Sequence, residues 1–279
     1  MSYKSILVHA DQTPHSAERI RMAAAIAVQE QAHLIGTAMT GISHVVFETG
    51  AFDPHDPAFD HHMRALRSYA DKSLEHFEQL ADTLPELSME SRLLDDDVVG
   101  GMTLQARYAD LVVLGQFDAE SVVPGVMPNF PESVVMNCAR PVMVVPTGWK
   151  FSALPSRALV AWDGSMTATR AVTAALPLLR HAAQVDVAII NPGDTPDAHG
   201  EQPGADIALY LSRHGIAVNV SVQETRRGPG EALLSMCSDA GADLLVMGAY
   251  GHTRFREMVL GGATRDILSS MTVPVLMAH

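Results

Sequence analysis

The strongest constraint on this chain is that it repeats itself. Tyr108-Ala-Asp-Leu-Val-Val-Leu-Gly115 matches Gly241-Ala-Asp-Leu-Leu-Val-Met-Gly248 at an offset of 133, and the block starting at Arg140-Pro141-Val142 matches Val273-Pro274-Val275 at the same offset. A third block, Ile6 to Asp11, matches Ala158 to Asp163 at an offset of 152. Three matches in one order point to a tandem duplication. The shift from 133 to 152 gives the first copy about nineteen extra residues between its first strand and its Ala-Asp-Leu strand. At 279 residues the chain is also long for a single core. Two domains are expected, 1–147 and 156–279, with the Gly148–Pro155 stretch as linker.

Within each copy, short apolar runs such as Ala158–Trp162, Val185–Ile190 and Leu244–Met247 alternate with longer helical stretches. Continuous apolar runs suit strands buried on both faces, and their alternation with helices gives a parallel sheet. The reading is therefore α/β: two Rossmann-like domains, each a five-stranded parallel sheet with helices on both faces. In the second copy the strands fall near 157–162, 184–191, 216–224, 243–249 and 273–278. Thr13-Pro14 and Ser165 read as helix N-caps.

Composition excludes several classes. No apolar run approaches the length of a membrane span, and the N-terminal Ile6-Leu7-Val8 is too short for a signal sequence. These features place the protein in the cytoplasm and off membranes. The formal net charge of −13 leaves no basic face for nucleic acid. Cys138 and Cys237 share no motif spacing and read as buried apolar residues.

In an open parallel sheet, ligands sit beyond the carboxyl ends of the strands where strand order reverses. Two loops of the second copy qualify. One is Asp163-Gly164-Ser165, and the other starts at Gly248 and runs through Gly251 to Gly261-Gly262-Ala263-Thr264 before an apolar helix. Glycines let backbone N–H groups approach an anion, and the helix N-terminus adds positive potential. Arg254, Arg256 and Arg265 supply charge. The alternative, that these glycines only form a turn, stays open on local grounds. A P-loop is excluded, since the second copy has no lysine.

The spacing Gly248-x2-Gly251-x9-Gly261, flanked by the Ala-Asp-Leu strand and by Val-Pro-Val and joined to Asp163-Gly164-Ser165, resembles the universal stress protein family. The whole chain resembles its tandem, two-domain form. The resemblance implies a stress-response role and, in one branch of the family, ATP binding with or without Mg²⁺. On that pattern Asp163 contacts the ribose, while Ala161 and Ile190 line the adenine pocket. Met247 and Gly248 lie beside the sugar and phosphates, and Gly251, Gly261, Gly262, Ala263 and Thr264 wrap the phosphates. Gly262 stands where the family usually has Ser or Thr, so a hydroxyl is lost and an N–H kept. The resemblance further implies pairing of the two domains through their last strands, 142–145 and 275–278, and a possible homodimer.

The first copy departs from the pattern. Gly248 corresponds to Gly115, but Gly251, Gly261 and Thr264 fall on Asp118, Pro128 and Pro131. A carboxylate repels phosphate and proline has no N–H, so no triphosphate is expected there. Asp53, His55, Asp56, Asp60, His61 and His62 match no metal-site spacing, and Asp95-Asp96-Asp97 reads as the exposed end of a strand. His252 lacks a partner at catalytic spacing, so no catalytic residue is assigned and weak ATPase activity is the most expected. The function expected is a regulatory or slowly hydrolysing ATP site in the second domain. The alternative is a nucleotide-independent interaction or chaperone-like module.

Overall fold

The structure, a computed structural model, describes residues 2–43, 57–121, 123–194, 201–251 and 262–279. It divides into two compact units, Tyr3–Arg140 with Thr147–Ala153, and Leu154–His279 with Pro141–Pro146.

In the N-terminal unit, β1 (Ser5–His9), α1 (Ser16–Glu30), β2 (His33–Met39), α2 (Pro57–Ala81), β3 (Ser88–Leu94), α3 (Val98–Ala106), β4 (Leu111–Gly115) and α4 (Phe130–Asn137) follow in order. The sheet order is β3-β2-β1-β4, and β1 pairs in parallel with both β2 and β4. Ile6, Leu7, Leu34, Leu111, Val112 and Val113 are fully buried, as strands covered on both faces require. The segment after Pro146 packs on this unit: Glu18 accepts the Phe151 N–H at 3.0 Å and the Gln116 side chain accepts the Thr147 N–H at 3.0 Å.

The C-terminal unit takes up β5 (Val142–Val145) and then runs β6 (Arg157–Ala161), α5 (Met166–Leu179), β7 (Gln184–Ile190), α6 (Ala205–Arg213), β8 (Val218–Gln223), α7 (Pro229–Ala240), β9 (Leu244–Gly248), α8 (Ala263–Ser270) and β10 (Val275–Ala278). Its order is β5-β10-β9-β6-β7-β8. Strands β6 to β10 are parallel to their neighbours, and β5 is antiparallel to β10 with Met143 opposite Leu276. Each expected strand of this copy is present, shorter by up to two residues at an end. Leu268, Met271, Val275 and Met277 are core residues, as their spacing indicates.

The two helix starts differ. Ser165 caps α5, its hydroxyl accepting the Ala168 N–H at 3.1 Å. Thr13 does not cap α1, which starts three residues later behind His15. The cause is Asp11, whose carboxylate takes both the N–H and the hydroxyl of Thr13, at 3.0 and 2.6 Å. A hydroxyl held by a carboxylate cannot also accept a helix N–H at cap geometry.

Candidate functional site

Strand β6 lies between β7 and β9, the chain leaving it on one side and returning on the other. This is the switch point at which open α/β sheets bind ligands. Ala161 closes β6 and Ile190 closes β7, both half-buried, while Met247 is buried one residue before the end of β9. Past β6, Gly164 turns the chain with φ of 73°, and Asp163 accepts the Ser165 N–H at 2.9 Å. That bond fixes the loop so that the helix starts immediately after the carboxylate.

The glycines after β9 are required by their neighbours. A Cβ on Gly248 would lie 2.5 Å from the Ala168 nitrogen and 2.6 Å from Thr167 Oγ1, and one on Gly251 would lie 2.6 Å from the same hydroxyl. Both positions therefore face the first turn of α5 with no space for a side chain. Between them Tyr250 holds φ of 55°, a left-handed conformation that is costly for a tyrosine and gathers at ligand loops.

Opposite this turn, α8 starts at Gly262, which offers no side-chain cap. The first turn of this helix, where the dipole is positive, therefore carries N–H groups without a side-chain cap. Ala263 is the first helical residue. Thr264 is 2% exposed, and its hydroxyl accepts the Tyr250 N–H at 3.3 Å. That hydroxyl thus ties the two ends of the glycine loop together. Gly261, with His252, Arg254 and Arg256, lies outside the described residues.

Sequence reasoning missed two residues here. Thr167 is one, since its importance comes from contacts with glycines more than eighty positions away. Asn191 is the other. With φ of 48°, it donates from its side chain to the Thr225 carbonyl at 3.0 Å and accepts the Thr225 N–H at 2.8 Å. This two-way clip fixes the end of β7 beside Ile190. An asparagine directly after a strand is a signal for such a turn.

The equivalent place in the N-terminal unit is filled from within. Arg19 is 3% exposed; its Nε donates to the His9 carbonyl at 2.8 Å, and its Nη2 lies 3.0 Å from Asp11 Oδ2. A Cβ on Gly115 would overlap Arg19 Nη1. Phe130 lies against His9, ring centroids 5.2 Å apart, and Gly125 packs on Gly41 with no space for a side chain on either. Asp118 is engaged by Ser121, whose hydroxyl donates at 2.6 Å. Burial alone would raise the Asp11 pKa, but Arg19, His9 and the two Thr13 bonds outweigh it and hold it at about 2. Burial drives His9 down to about 4 against the upward pull of Asp11.

Residues 156–279 match the family model described as "Universal stress protein family". The match covers the C-terminal domain. A universal stress protein of Synechocystis sp. is 27% identical over 173 residues, 60% of this chain and 57% of that protein. One from Methanocaldococcus jannaschii is 33% identical over 48 residues, 17% of this chain and 30% of that protein. Among solved structures, a universal stress protein of Archaeoglobus fulgidus is similar at TM-score 0.73 and 18% identity, with 98% of this chain and 95% of that chain covered. A putative universal stress protein of Pseudomonas aeruginosa is similar at 0.61 and 16%, with 99% and 93% covered. These two likenesses extend the α/β fold of the family over both repeats.

Outside the switch points, the polar clusters of the chain have structural partners. Asp97 caps α3 by accepting the Gly100 N–H at 2.8 Å, Asp96 accepts the Asp97 N–H at 2.9 Å, and Asp95 pairs with Arg67 at 2.6 Å. The run is thus a helix start, with Asp96 buried, rather than an exposed strand end. Asp60 pairs with Arg64 on α2, which also carries His61 and His62; Asp53, His55 and Asp56 lie outside the described residues. Among the described residues no group of three or more potential ligands could hold a metal, and no helix is long and apolar enough to cross a membrane. Both cysteines are buried and free, and burial pushes the Cys237 thiol up to about 12.

Proposed function

We propose that the C-terminal unit binds ATP at the ends of β6, β7 and β9 and holds it as a regulatory ligand, hydrolysed slowly at most. The observation that carries this reading is the closure of Gly248 and Gly251 onto Thr167, opposite an α8 that starts without a side-chain cap. Such a cleft brings backbone N–H groups to an anion and excludes side chains from the space the phosphates need. Asp163 holds the ribose hydroxyls as a carboxylate acceptor. Ala161 and Ile190 offer an apolar wall to the base, steadied by Asn191. Met247 and Gly248 border the sugar, and the phosphates lie along Gly251, Gly261, Gly262 and Ala263. ATP supplies the triphosphate and its charge, with Mg²⁺ as its counter-ion; the chain orients and neutralises them. The N-terminal unit, with Arg19 in the corresponding place, binds none.

Calorimetry of the full chain with ATP, with and without Mg²⁺, tests this. One molecule per chain is expected. Gly251→Asp, which places a carboxylate at the phosphates and a Cβ into Thr167, is expected to remove binding; no binding by the unaltered chain at millimolar ATP overturns the reading.

A further inference from the structure

Ser165 and Thr167 form a hydroxyl pair, Oγ to Oγ1, 3.1 Å apart. Their hydrogens can be assigned by counting. Each hydroxyl has one hydrogen to donate and two lone pairs to accept with. Thr167 is 7% exposed, and among the described residues its hydroxyl bonds only to Ser165. A buried hydroxyl hydrogen left without an acceptor is costly, so Thr167 donates and Ser165 accepts. Ser165 also accepts the Ala168 N–H at 3.1 Å. Both its lone pairs are then occupied, and its own hydrogen must point away from α5.

Gly251 lies beside that hydroxyl. A Cβ there would lie 3.1 Å from Ser165 Oγ, so only glycine leaves that hydroxyl uncovered on the loop side. Ser165 is half-buried, in contrast to Thr167. The result is a hydroxyl at the mouth of the cleft that can donate but not accept, which selects a ligand atom with lone pairs and no hydrogen. A phosphate oxygen fits that requirement.

We propose that Ser165 is a specificity-determining residue that donates a hydrogen bond to a phosphate oxygen of the nucleotide, with Thr167 as the positioning residue that directs its hydrogen. This rests on the nucleotide reading above and deepens it. The donor comes from the loop after β6, while Gly262 leaves the glycine loop without its usual hydroxyl. The site thus regains from one side a donor it has lost on the other.

The test is calorimetry of the full chain with two probes, ATP and adenosine. Ser165→Ala is expected to weaken ATP about tenfold, the scale of a hydrogen bond to a charged acceptor, and to leave adenosine unchanged. Ser165→Asp keeps the helix cap but replaces the donor by a carboxylate, and is expected to weaken ATP at least as much with an unchanged melting temperature. Thr167→Val, which frees the Ser165 hydrogen to turn, is expected to weaken ATP about threefold. Ser165→Asp binding ATP like the unaltered chain, or Ser165→Ala weakening ATP and adenosine equally, would make Ser165 a cap only and overturn the proposal. Failure of the unaltered chain to bind ATP would remove the nucleotide reading as well, so the two failures are distinct.

Discussion

Asp11 and Asp163 each stand two residues past the first strand of their repeat, and each accepts the backbone N–H two residues on, from Thr13 at 3.0 Å and from Ser165 at 2.9 Å. From there the two repeats diverge. In the N-terminal unit the next acceptor site of the aspartate is taken by Arg19, and the guanidinium spreads under Gly115. At the equivalent position of the C-terminal unit stands Ala171, fully buried and without charge. One side chain therefore separates a cleft that holds a buried guanidinium from one that holds a buried methyl group at the same position. Loss of the glycines in the first repeat is one part of this difference, and the arginine is the other.

The comparison breaks hardest at that arginine. Arg19→Ala leaves the buried Asp11 carboxylate without its cation, and is expected to destabilise the N-terminal unit by about 3–5 kcal/mol. Urea unfolding followed by peptide-level hydrogen exchange would locate the loss in 3–140; an effect below about 1 kcal/mol would show that the pair is not what closes this site. Acid offers a reversible version. His9 has its folded pKa at about 4, below its ordinary value near 6.5. Between those values the unfolded chain binds a proton that the folded unit excludes, so stability is full above about pH 6.5 and falls as pH drops toward 4. The slope is about 1.4 kcal/mol per pH unit for one proton. Asp11, held at about 2, extends the loss below pH 4. Urea midpoints measured from pH 7 to 4 should decline for the unaltered chain and flatten for His9→Leu.

Two smaller effects sharpen the contrast from the other unit. Gly248→Ala drives a Cβ toward the Ala168 backbone nitrogen, which cannot turn aside, and is expected to cost about 2 kcal/mol. Gly115→Ala meets the end of an arginine side chain and is expected to cost less in the same unfolding assay; equal losses would show that Arg19 is held as firmly as backbone. Asn191→Ala removes the two-way clip to Thr225 and relaxes φ of 48° only in part, for an expected loss of about 1 kcal/mol. Its readout is hydrogen exchange in β7 and β8, with little change elsewhere.

Much of the fold was legible because the repeat matches strand to strand, and a buried parallel strand has a strong apolar signal. Ser165 was legible too, since an N-cap is a local matter. What escaped was set by distant partners. Ser16-Ala-Glu-Arg-Ile-Arg offers two arginines two residues apart, and nothing local says that Arg19 turns inward while Arg21 pairs with Glu18 at the surface. That choice depends on Asp11 and on Gly115, almost a hundred residues later. Thr13 misled for a related reason, because its hydroxyl had a nearer and stronger acceptor than a helix N–H. The glycine loop was read as a phosphate cradle from its spacing, but the reason no other residue fits at 248 and 251 is the first turn of α5, Thr167 with Ala168, which no spacing reveals.

The guanidinium beneath Gly115 also limits the routes open to this chain in evolution. Replacing Asp118, Pro128 and Pro131 by the residues of the second repeat would restore a loop and still leave Asp11 engaged. Removing Arg19 first would strand a buried carboxylate. Each single step back is therefore unrewarded or harmful, so the two halves can drift further apart more easily than they can become alike.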